Sequence, residues 1–166
     1  MKVVGIDPGT ATTGYGIVSE TDQGGLVAID YGVIQTPPDM PMEQRLVLLY
    51  RELKKILLLH NPESGAVEKL FFQKNVTTAI SVGQGRGVVL LALAEAGLSV
   101  AEYTPMEVKQ AVVGYGGADK NQIQQMIRAI LGLQEIPRPD DAADALAIAI
   151  CHLHTRRFTE LAKQEQ

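Results

Sequence analysis

The stretch that decides the fold is KVVGIDPGTATTGYGIVSETDQGGLVAIDYGVIQ, residues 2–35. It contains three apolar runs, and each is separated from the next by residues that favour turns, such as Asp, Pro and Gly. The first run ends at Asp7, in the turn sequence Asp7-Pro8-Gly9. Because the connections are short, the stretch predicts an antiparallel meander of three strands, over residues 2–6, 15–18 and 26–35.

The rest of the chain alternates between helix and strand patterns. Leucines three and four positions apart predict a helix between Pro38 and Asn61. The segment TPME, residues 104–107, is a capping-box pattern that predicts the start of a later helix. The order β-β-β-α-β-α-β-α-α-α predicts an α/β protein with a mixed five-stranded sheet flanked by helices, which is the order of the RNase H-like fold. The later elements are predicted as strands at 65–67 and 98–103 and as helices at 77–96, 105–113, 120–131 and from about 140.

The length of 166 residues suits one domain, which we place at residues 1–158, with 159–166 as a polar tail that is expected to fray. The segment before Asp7 is too short for a signal peptide, and no run approaches the roughly 20 apolar residues of a membrane span. Cys151, the one cysteine, lies in an apolar run, where a buried hydrophobic role is favoured over a catalytic thiol. We therefore expect a cytoplasmic protein.

Four acids stand at positions where a carboxylate needs a partner. Asp7 and Glu68 each end an apolar strand, and an ionised group is costly there unless it is paired. Asp141 and Asp144 are three residues apart near the start of the last helix, so they share one face. Taken singly, each acid is more simply interpreted as a turn residue or a helix-capping acid. Their combination on three elements favours a common site.

Clustered carboxylates repel one another, and divalent cations offset that repulsion most simply. Mg²⁺ prefers oxygen ligands and usually takes one or two carboxylates together with water and substrate phosphate. Two such ions can activate a water and stabilise the leaving oxygen in phosphodiester hydrolysis. The four acids therefore favour a site for divalent cations, which is suited to metal-dependent hydrolysis of phosphodiester bonds.

Six motifs occur in order along nearly the whole chain, over about residues 3–154. They are GIDPGT (5–10), TGYGIV (13–18), AVEKLFFQKN (66–75), VGQGRG (82–87), MEVKQAVVGYGGADKNQIQQM (106–126) and DDAADALAIAICHLH (140–154). Together they resemble the RuvC family of Holliday junction resolvases. The whole series is highly specific, whereas GIDPGT alone would be a weak signal.

The resemblance implies how the protein works. Members of this family are homodimers that bind four-way DNA junctions and nick two strands of like polarity symmetrically, in recombination and DNA repair. They use Mg²⁺, with two ions expected per active site and Mn²⁺ as a substitute, and they act with the RuvA–RuvB branch-migration complex. On this chain the resemblance assigns the catalytic and metal-binding roles to Asp7, Glu68, Asp141 and Asp144.

The resemblance also implies a set of DNA contacts. Phe71 matches an aromatic that stacks on a base near the junction, although core packing is its structural alternative and the neighbouring Phe72 is the stronger candidate for the core. Lys109 and Lys120 match basic positions near the scissile phosphate or the junction backbone, with a solvated helix face as their alternative. The implied DNA-binding set is Phe71, Lys74, Arg86, Lys109 and Lys120.

Asp140 adds a third acid to the last motif and leaves two registers open for the metal ligand. Asp140 and Asp141 can each face the same way as Asp144, at spacings of four and three residues. We favour Asp141, because DAADALA then aligns with the family without a gap, and we expect Asp140 to be the helix N-cap. His152 and His154 lie two to three turns further on and are expected to be structural or surface groups.

The net charge of −4 is unexpected for a DNA-binding protein, but the charges are unevenly distributed. Residues 1–68 hold 5 basic and 9 acidic side chains, residues 69–138 hold 7 and 5, and residues 139–166 hold 3 and 5. Two divalent cations on the four acids would bring the protein near neutrality and leave a basic middle. The charge is therefore compatible with nucleic-acid binding.

Two other classes of function remain open on the sequence. IDPGT and TGYG are also similar to the glycine hairpins of actin- and sugar-kinase-like nucleotide-binding modules, but those proteins need two such domains around a cleft. A junction-binding module without catalysis is the second alternative, and the intact acids argue against it.

Symmetric nicking would require two active sites related by a two-fold axis, and hence a dimer. The predicted helix at 77–96 contains Gly83, Gly85 and Gly87, which lower helix stability and indicate close packing or close approach to a partner. We expect this helix to form the dimer surface.

Overall fold

The computed structural model describes the backbone of residues 1–69 and 76–164 and the side chains of 1–69 and 79–157. The strands are β1 (Lys2–Asp7), β2 (Thr12–Glu20), β3 (Leu26–Gln35), β4 (Ser64–Glu68) and β5 (Ser99–Tyr103). They form one mixed sheet with the order β3-β2-β1-β4-β5. The first three strands make the expected antiparallel meander, and β4 and β5 continue the sheet in parallel to β1.

Helices flank both faces of this sheet. In the described residues they are α1 (Met42–His60), α2 (Val76–Glu95), α3 (Pro105–Val113), α4 (Lys120–Ile130) and α5 (Asp140–Gln164). The expected capping box is present at the start of α3, where the Thr104 hydroxyl accepts from the Glu107 N–H at 3.2 Å and the Glu107 carboxylate accepts from the Thr104 N–H at 2.7 Å. The α5 backbone continues through residues 159–164, within the segment for which we expect fraying.

Two sequence-based expectations differ from the structure by more than a residue at the end of an element. β2 spans nine residues instead of the four expected at 15–18, because its polar ends pair with β1 and β3 through backbone groups, which apolar patterning does not report. Asp140 is not the N-cap of α5, since it lies in the first turn of the helix. Its carboxylate accepts from Lys120 and Gln124 of α4 instead of capping its own helix.

The hydrophobic core has one part on each face of the sheet. α5, together with α3 and α4, covers one face, and α1 and α2 cover the other. Consecutive residues of β2 therefore point into different parts of the core. The first part includes Val18, Ile127 and Leu146, and the second includes Ile17, Leu53 and Leu93.

α5 lies directly on the backbone of β1 and β2. A Cβ at Gly16 would come 2.9 Å from the Leu146 backbone nitrogen, and a Cβ at Gly14 would overlap the Asp141 carbonyl oxygen. Only a residue without a Cβ permits so close an approach between a strand and a helix. These glycines therefore set the height of α5 above the sheet.

The apolar part of α5 belongs to the core, as its composition predicts. Cys151 is 1% exposed, and burial raises the pKa of its thiol to about 11, so the thiol stays protonated. This confirms a buried structural cysteine. None of the helices in the described residues is long and apolar enough to cross a membrane.

Candidate active site

Asp7 and Glu68 lie side by side at one end of the sheet. β1 and β4 are parallel neighbours in which Ile6 pairs with Val67, so the next residue of each strand stands at its carboxyl end. In open α/β sheets this end is where ligands usually bind. Both acids are partly buried, and their expected placement at strand ends is confirmed.

The N-terminal end of α5 brings Asp141 and Asp144 to the same end of the sheet. Gly14 is the β2 partner of Asp7, and the first turn of α5 lies directly on Gly14. Because the two acids of α5 are three residues apart, both side chains project from one side of the helix. The structure thus gathers the four predicted acids from two strands and one helix.

The acids of this group affect one another's ionisation. Burial raises the pKa of Asp7 to about 7, and the negative charges of Glu68, Asp144 and Asp141 add to the rise. Burial and the charge of Asp144 also raise the pKa of Glu68. Burial raises the pKa of Asp144 as well, although the Lys120 ammonium opposes that rise. The group therefore carries concentrated negative charge that a cation would stabilise.

A cleft of about 250 Å³ opens beside the acids. Its lining includes Glu68 and Asp144 together with Lys109 of α3 and Lys120 of α4. Lys120 Nζ lies 2.9 Å from Asp140 Oδ2 and 3.8 Å from Asp144 Oδ2. Lysine ammonium groups bind phosphate oxygens, so a cleft lined by both acids and lysines suits a phosphodiester together with a metal ion.

Two threonine hydroxyls hold the loop that follows Asp7, and the sequence patterns did not single them out. The Thr10 hydroxyl donates to the Ser81 carbonyl of α2 at 2.7 Å, and the Thr36 hydroxyl donates to the Thr10 carbonyl at 2.6 Å. Threonines next to a Gly-rich turn are the signal that could have indicated this role, since hydroxyls often satisfy the backbone groups of turns. The bonds connect the Asp7 loop to α2 and to the end of β3.

The other predicted DNA contacts are placed differently. Arg86 of α2 pairs with Glu102 of β5, with Nη2 2.8 Å from Oε2, which ties the guanidinium to the edge of the sheet. Phe71 and Lys74 lie outside the described residues. Of this predicted set, the structure therefore brings Lys109 and Lys120 to the cleft.

His152 is a structural residue, as expected. It is 5% exposed, and its ring nitrogens lie 2.9 Å from the Ser64 hydroxyl and 2.8 Å from the Tyr103 hydroxyl. Burial lowers the pKa of His152 to about 4, so the ring is neutral. His154 is partly buried and bonds through Nδ1 to the Ala111 carbonyl at 3.0 Å.

The chemistry of the donor set fits a hard divalent cation. All four acids offer oxygen ligands, and a bound cation would relieve the repulsion that helps to raise the pKa of Asp7, Glu68 and Asp144. Among the side chains that the structure describes, no three His, Cys, Asp or Glu groups stand in a metal-ligating arrangement. The acids therefore fit a cation by the chemistry of their donor atoms and not by a preformed arrangement of the described side chains.

Comparison with known proteins identifies the family. A family model described as Crossover junction endodeoxyribonuclease RuvC matches residues 3–152. The chain belongs to the RuvC family. A curated RuvC from Syntrophomonas wolfei is 57% identical over 159 residues, which cover 96% of this chain and 92% of the relative. A RuvC from Desulfitobacterium hafniense strain DCB-2 is 61% identical over 155 residues, which cover 93% of each chain.

Solved structures agree with this assignment. The Thermus thermophilus RuvC structure is 40% identical, with a TM-score of 0.89 over 96% of this chain and 97% of that one. The T. thermophilus RuvC in complex with a Holliday junction substrate is 38% identical, with a TM-score of 0.87 over 95% of this chain and 96% of that one. These matches confirm the RNase H-like α/β fold.

Family membership settles the class of activity. The chain is a crossover junction endodeoxyribonuclease, and the family consists of metal-dependent nucleases. This decides against the nucleotide-binding module of the actin and sugar-kinase type and against a module that binds junctions without cutting them.

Proposed function

We propose that this enzyme resolves four-way DNA junctions by Mg²⁺-dependent hydrolysis and nicks two strands of like polarity symmetrically. The observation that supports this most directly is the group of four acids beside a cleft lined by lysines, with the pKa of Asp7 raised to about 7. The T. thermophilus relative that was solved with a Holliday junction substrate supports the junction as the DNA that fits this cleft.

Asp7, Glu68, Asp141 and Asp144 are the residues that would hold two Mg²⁺ ions per active site, with Mn²⁺ as a substitute. Bound cations supply an activated water and stabilise charge at the leaving oxygen. The contribution of the chain is to hold four carboxylate groups at two strand ends and one helix turn. Because a carboxylate must be ionised to bind a metal, cation binding at neutral pH would displace a proton from Asp7.

The lysines of the cleft are proposed to contact the DNA backbone. Lys109 and Lys120 line the cleft beside Glu68 and Asp144, so their ammonium groups can bind the phosphate that approaches the acids. Family motifs support the rest of the DNA-binding set, in which Phe71 stacks on a base near the junction and Lys74 and Arg86 contact phosphates.

A homodimer formed through the outer face of α2 is also proposed. Gly83 and Gly87 are one turn apart, and a Cβ at either position would meet no described atom within 4 Å. Contacts within the described chain therefore do not explain these glycines, although each costs a helix about 1 kcal/mol relative to Ala. Ile80 and Leu91 are 59% and 55% exposed on the same face. A second α2 could pack closely along this stripe, and a two-fold pairing would supply two active sites.

Two further parts of the proposal rest on family membership. One is that the enzyme acts with the RuvA–RuvB branch-migration complex, and the other is that it works in the cytoplasm. Both follow from a role in recombination and DNA repair.

The proposed activity is tested with a synthetic four-way junction and a linear duplex of matched sequence, each labelled on one strand at a time. In Mg²⁺ we expect paired nicks on two junction strands of like polarity and an uncut duplex, and in Ca²⁺ we expect poor cutting. Equal cutting of junction and duplex would contradict junction specificity. Equal cutting in Mg²⁺, Ca²⁺ and EDTA would contradict the metal site.

A further inference from the structure

Asp140 stands apart from the four acids of the proposed metal site because its carboxylate is already engaged. Oδ2 lies 2.9 Å from Lys120 Nζ, and Oδ1 accepts from Gln124 Nε2 at 2.9 Å and from Arg138 Nη1 at 3.1 Å. These donors occupy both oxygens of the carboxylate. Lys120 and Gln124 are one turn apart on α4, so one acid at the start of α5 holds one face of α4.

Lys120 lies between two acids and is closer to Asp140. Its Nζ is 2.9 Å from Asp140 and 3.8 Å from Asp144. The Lys120 side chain is 56% exposed on a flexible four-carbon stem, so the surrounding charges determine where the ammonium lies. Without the charge of Asp140, the ammonium would be drawn further toward Asp144 and Asp7, whose charges it already offsets in part. There it would compete with a divalent cation.

We propose that Asp140 is a positioning residue that holds the Lys120 ammonium at the rim of the cleft and thereby keeps Asp144 available for a divalent cation. The inference rests on the proposed function, in which Asp144 binds metal and Lys120 contacts a DNA phosphate. By setting the position of Lys120, Asp140 affects both metal binding at Asp144 and the phosphate contact of Lys120. Arg138 Nη1 also donates to Oδ1, so the carboxylate can keep its place beside Lys120 without the Gln124 bond.

Asp140 also joins α4 to α5, and a purely structural role must be distinguished from the positioning role. The Gln124 hydrogen bond serves the joining of the helices without placing a charge near the acids. Gln124→Met removes that bond at similar volume and leaves the Asp140–Lys120 ion pair in place. It is the matched control for Asp140→Asn, which preserves the shape of the side chain and removes its charge. Thermal unfolding checks that both variants are folded.

The first measurement is a calorimetric titration of the DNA-free protein with Mg²⁺. We expect Asp140→Asn to weaken Mg²⁺ binding by up to about fivefold, the upper end of the range for an exposed ion pair. Gln124→Met is expected to bind Mg²⁺ as the wild type does. In a Lys120→Ala background, Asp140→Asn should have a much smaller effect, because no ammonium remains to move. An equal effect in both backgrounds, or the same loss in Gln124→Met, would overturn the positioning role.

The second measurement is junction cleavage at saturating Mg²⁺, which separates this inference from the proposed function. Lys120→Ala is expected to lower kcat strongly, and cleavage at the wild-type rate would contradict the phosphate contact assigned to Lys120. If Lys120→Ala is defective but Asp140→Asn binds Mg²⁺ as the wild type does, only the positioning role fails. If the wild type binds no Mg²⁺, the proposed metal site fails as a whole.

Discussion

At Asp7, burial and the nearby negative charges both oppose ionisation. They raise the pKa of the carboxyl to about 7 in the folded chain, whereas its unperturbed value is 3.8. The folded protein without metal therefore holds the Asp7 proton more tightly than the unfolded chain does. Stability from this group is fully present below pH 3.8 and is lost as pH rises through about 7. A cation at the site would reverse that loss at neutral pH.

Asp7→Asn tests this account, because asparagine stays neutral at every pH and is a weak ligand for the cation. In EDTA we expect the variant to melt a few degrees above the wild type at pH 8 and close to it at pH 4. We also expect it to bind junctions while failing to cut them, since the lysines of the cleft are unchanged. Melting curves at both pH values, gel-shift binding and cleavage assays provide the measurements.

Asp39→Asn is the control for Asp7→Asn, because Asp39 is an exposed acid in the turn after β3. It removes the same charge from outside the group of acids, and it should not prevent cutting. Normal cleavage by Asp7→Asn would contradict the assignment of Asp7 to the metal site. A difference in melting temperature between Asp7→Asn and the wild type that is the same at pH 4 and pH 8 would contradict the raised pKa of Asp7.

At the level of elements, the site depends on direct contact between α5 and β2. Gly14 pairs with Asp7 across the sheet, and the Asp141 carbonyl lies on the Gly14 Cα. The two acids of α5 can approach Asp7 only because no side chain stands between the helix and the strand. The geometry of the site therefore requires a residue without a Cβ at position 14.

Gly14→Ala is expected to push the first turn of α5 away from β2. Its Cβ would overlap backbone, which cannot rotate aside, so we expect a loss of about 1–3 kcal/mol in stability. We also expect the loss of Mg²⁺ affinity and junction cleavage to exceed what the stability change explains, because Asp141 and Asp144 move with the turn. Denaturant unfolding and Mg²⁺ titration measure the two effects, and Gly25→Ala, in the exposed turn before β3, is the control. Full activity in Gly14→Ala would show that the contact does not position the acids.

The sequence predicted the elements well because their signals are local. Apolar runs bounded by turn residues predicted the strands, leucines three and four positions apart predicted α1, and the TPME pattern predicted the start of α3. The acids at the ends of β1 and β4 could be found because a carboxylate after an apolar run is unusual. The overlap of Gly14 with α5 could not be predicted, since it joins residues more than 120 positions apart. For the same reason the sequence misplaced Asp140, whose partners Lys120 and Gln124 come from another helix.

At the scale of the whole molecule, the acidic net charge and the proposed DNA-binding role become compatible once the charges are located. Asp7, Glu68, Asp141 and Asp144 are concentrated at one end of the sheet, and Lys109 and Lys120 line the cleft beside them. Bound cations would neutralise much of the acidic group while leaving the lysines to attract phosphate. Charge counts along the sequence predicted a basic middle segment and acidic ends. They could not predict that acids and lysines would line one cleft.

The proposed dimer follows from the distribution of contacts along α2. Of its three closely spaced glycines, Gly85 has an internal explanation, because a Cβ there would come 3.2 Å from the Gly9 carbonyl oxygen in the Asp7 loop. At Gly83 and Gly87, which lie between the exposed Ile80 and Leu91, a Cβ would meet none of the atoms that the structure describes within 4 Å. One α2 helix would thus support the active-site loop on one side and a second subunit on the other, which would link dimer formation to the site.

Leu91→Glu tests the dimer, because it places a charge in the middle of the proposed helix pair. We expect light scattering after size exclusion to report two chains for the wild type and one for the variant, with the fold retained because Leu91 is outside the core. A monomer has one active site, so junctions should then receive single nicks in place of paired ones.

Ile29→Glu is the control, because Ile29 is an exposed apolar residue on the edge strand β3. This variant should remain dimeric and make paired nicks. A wild type that is monomeric on junction DNA, or a Leu91→Glu variant that stays dimeric, would show that the two active sites are not brought together through this face of α2.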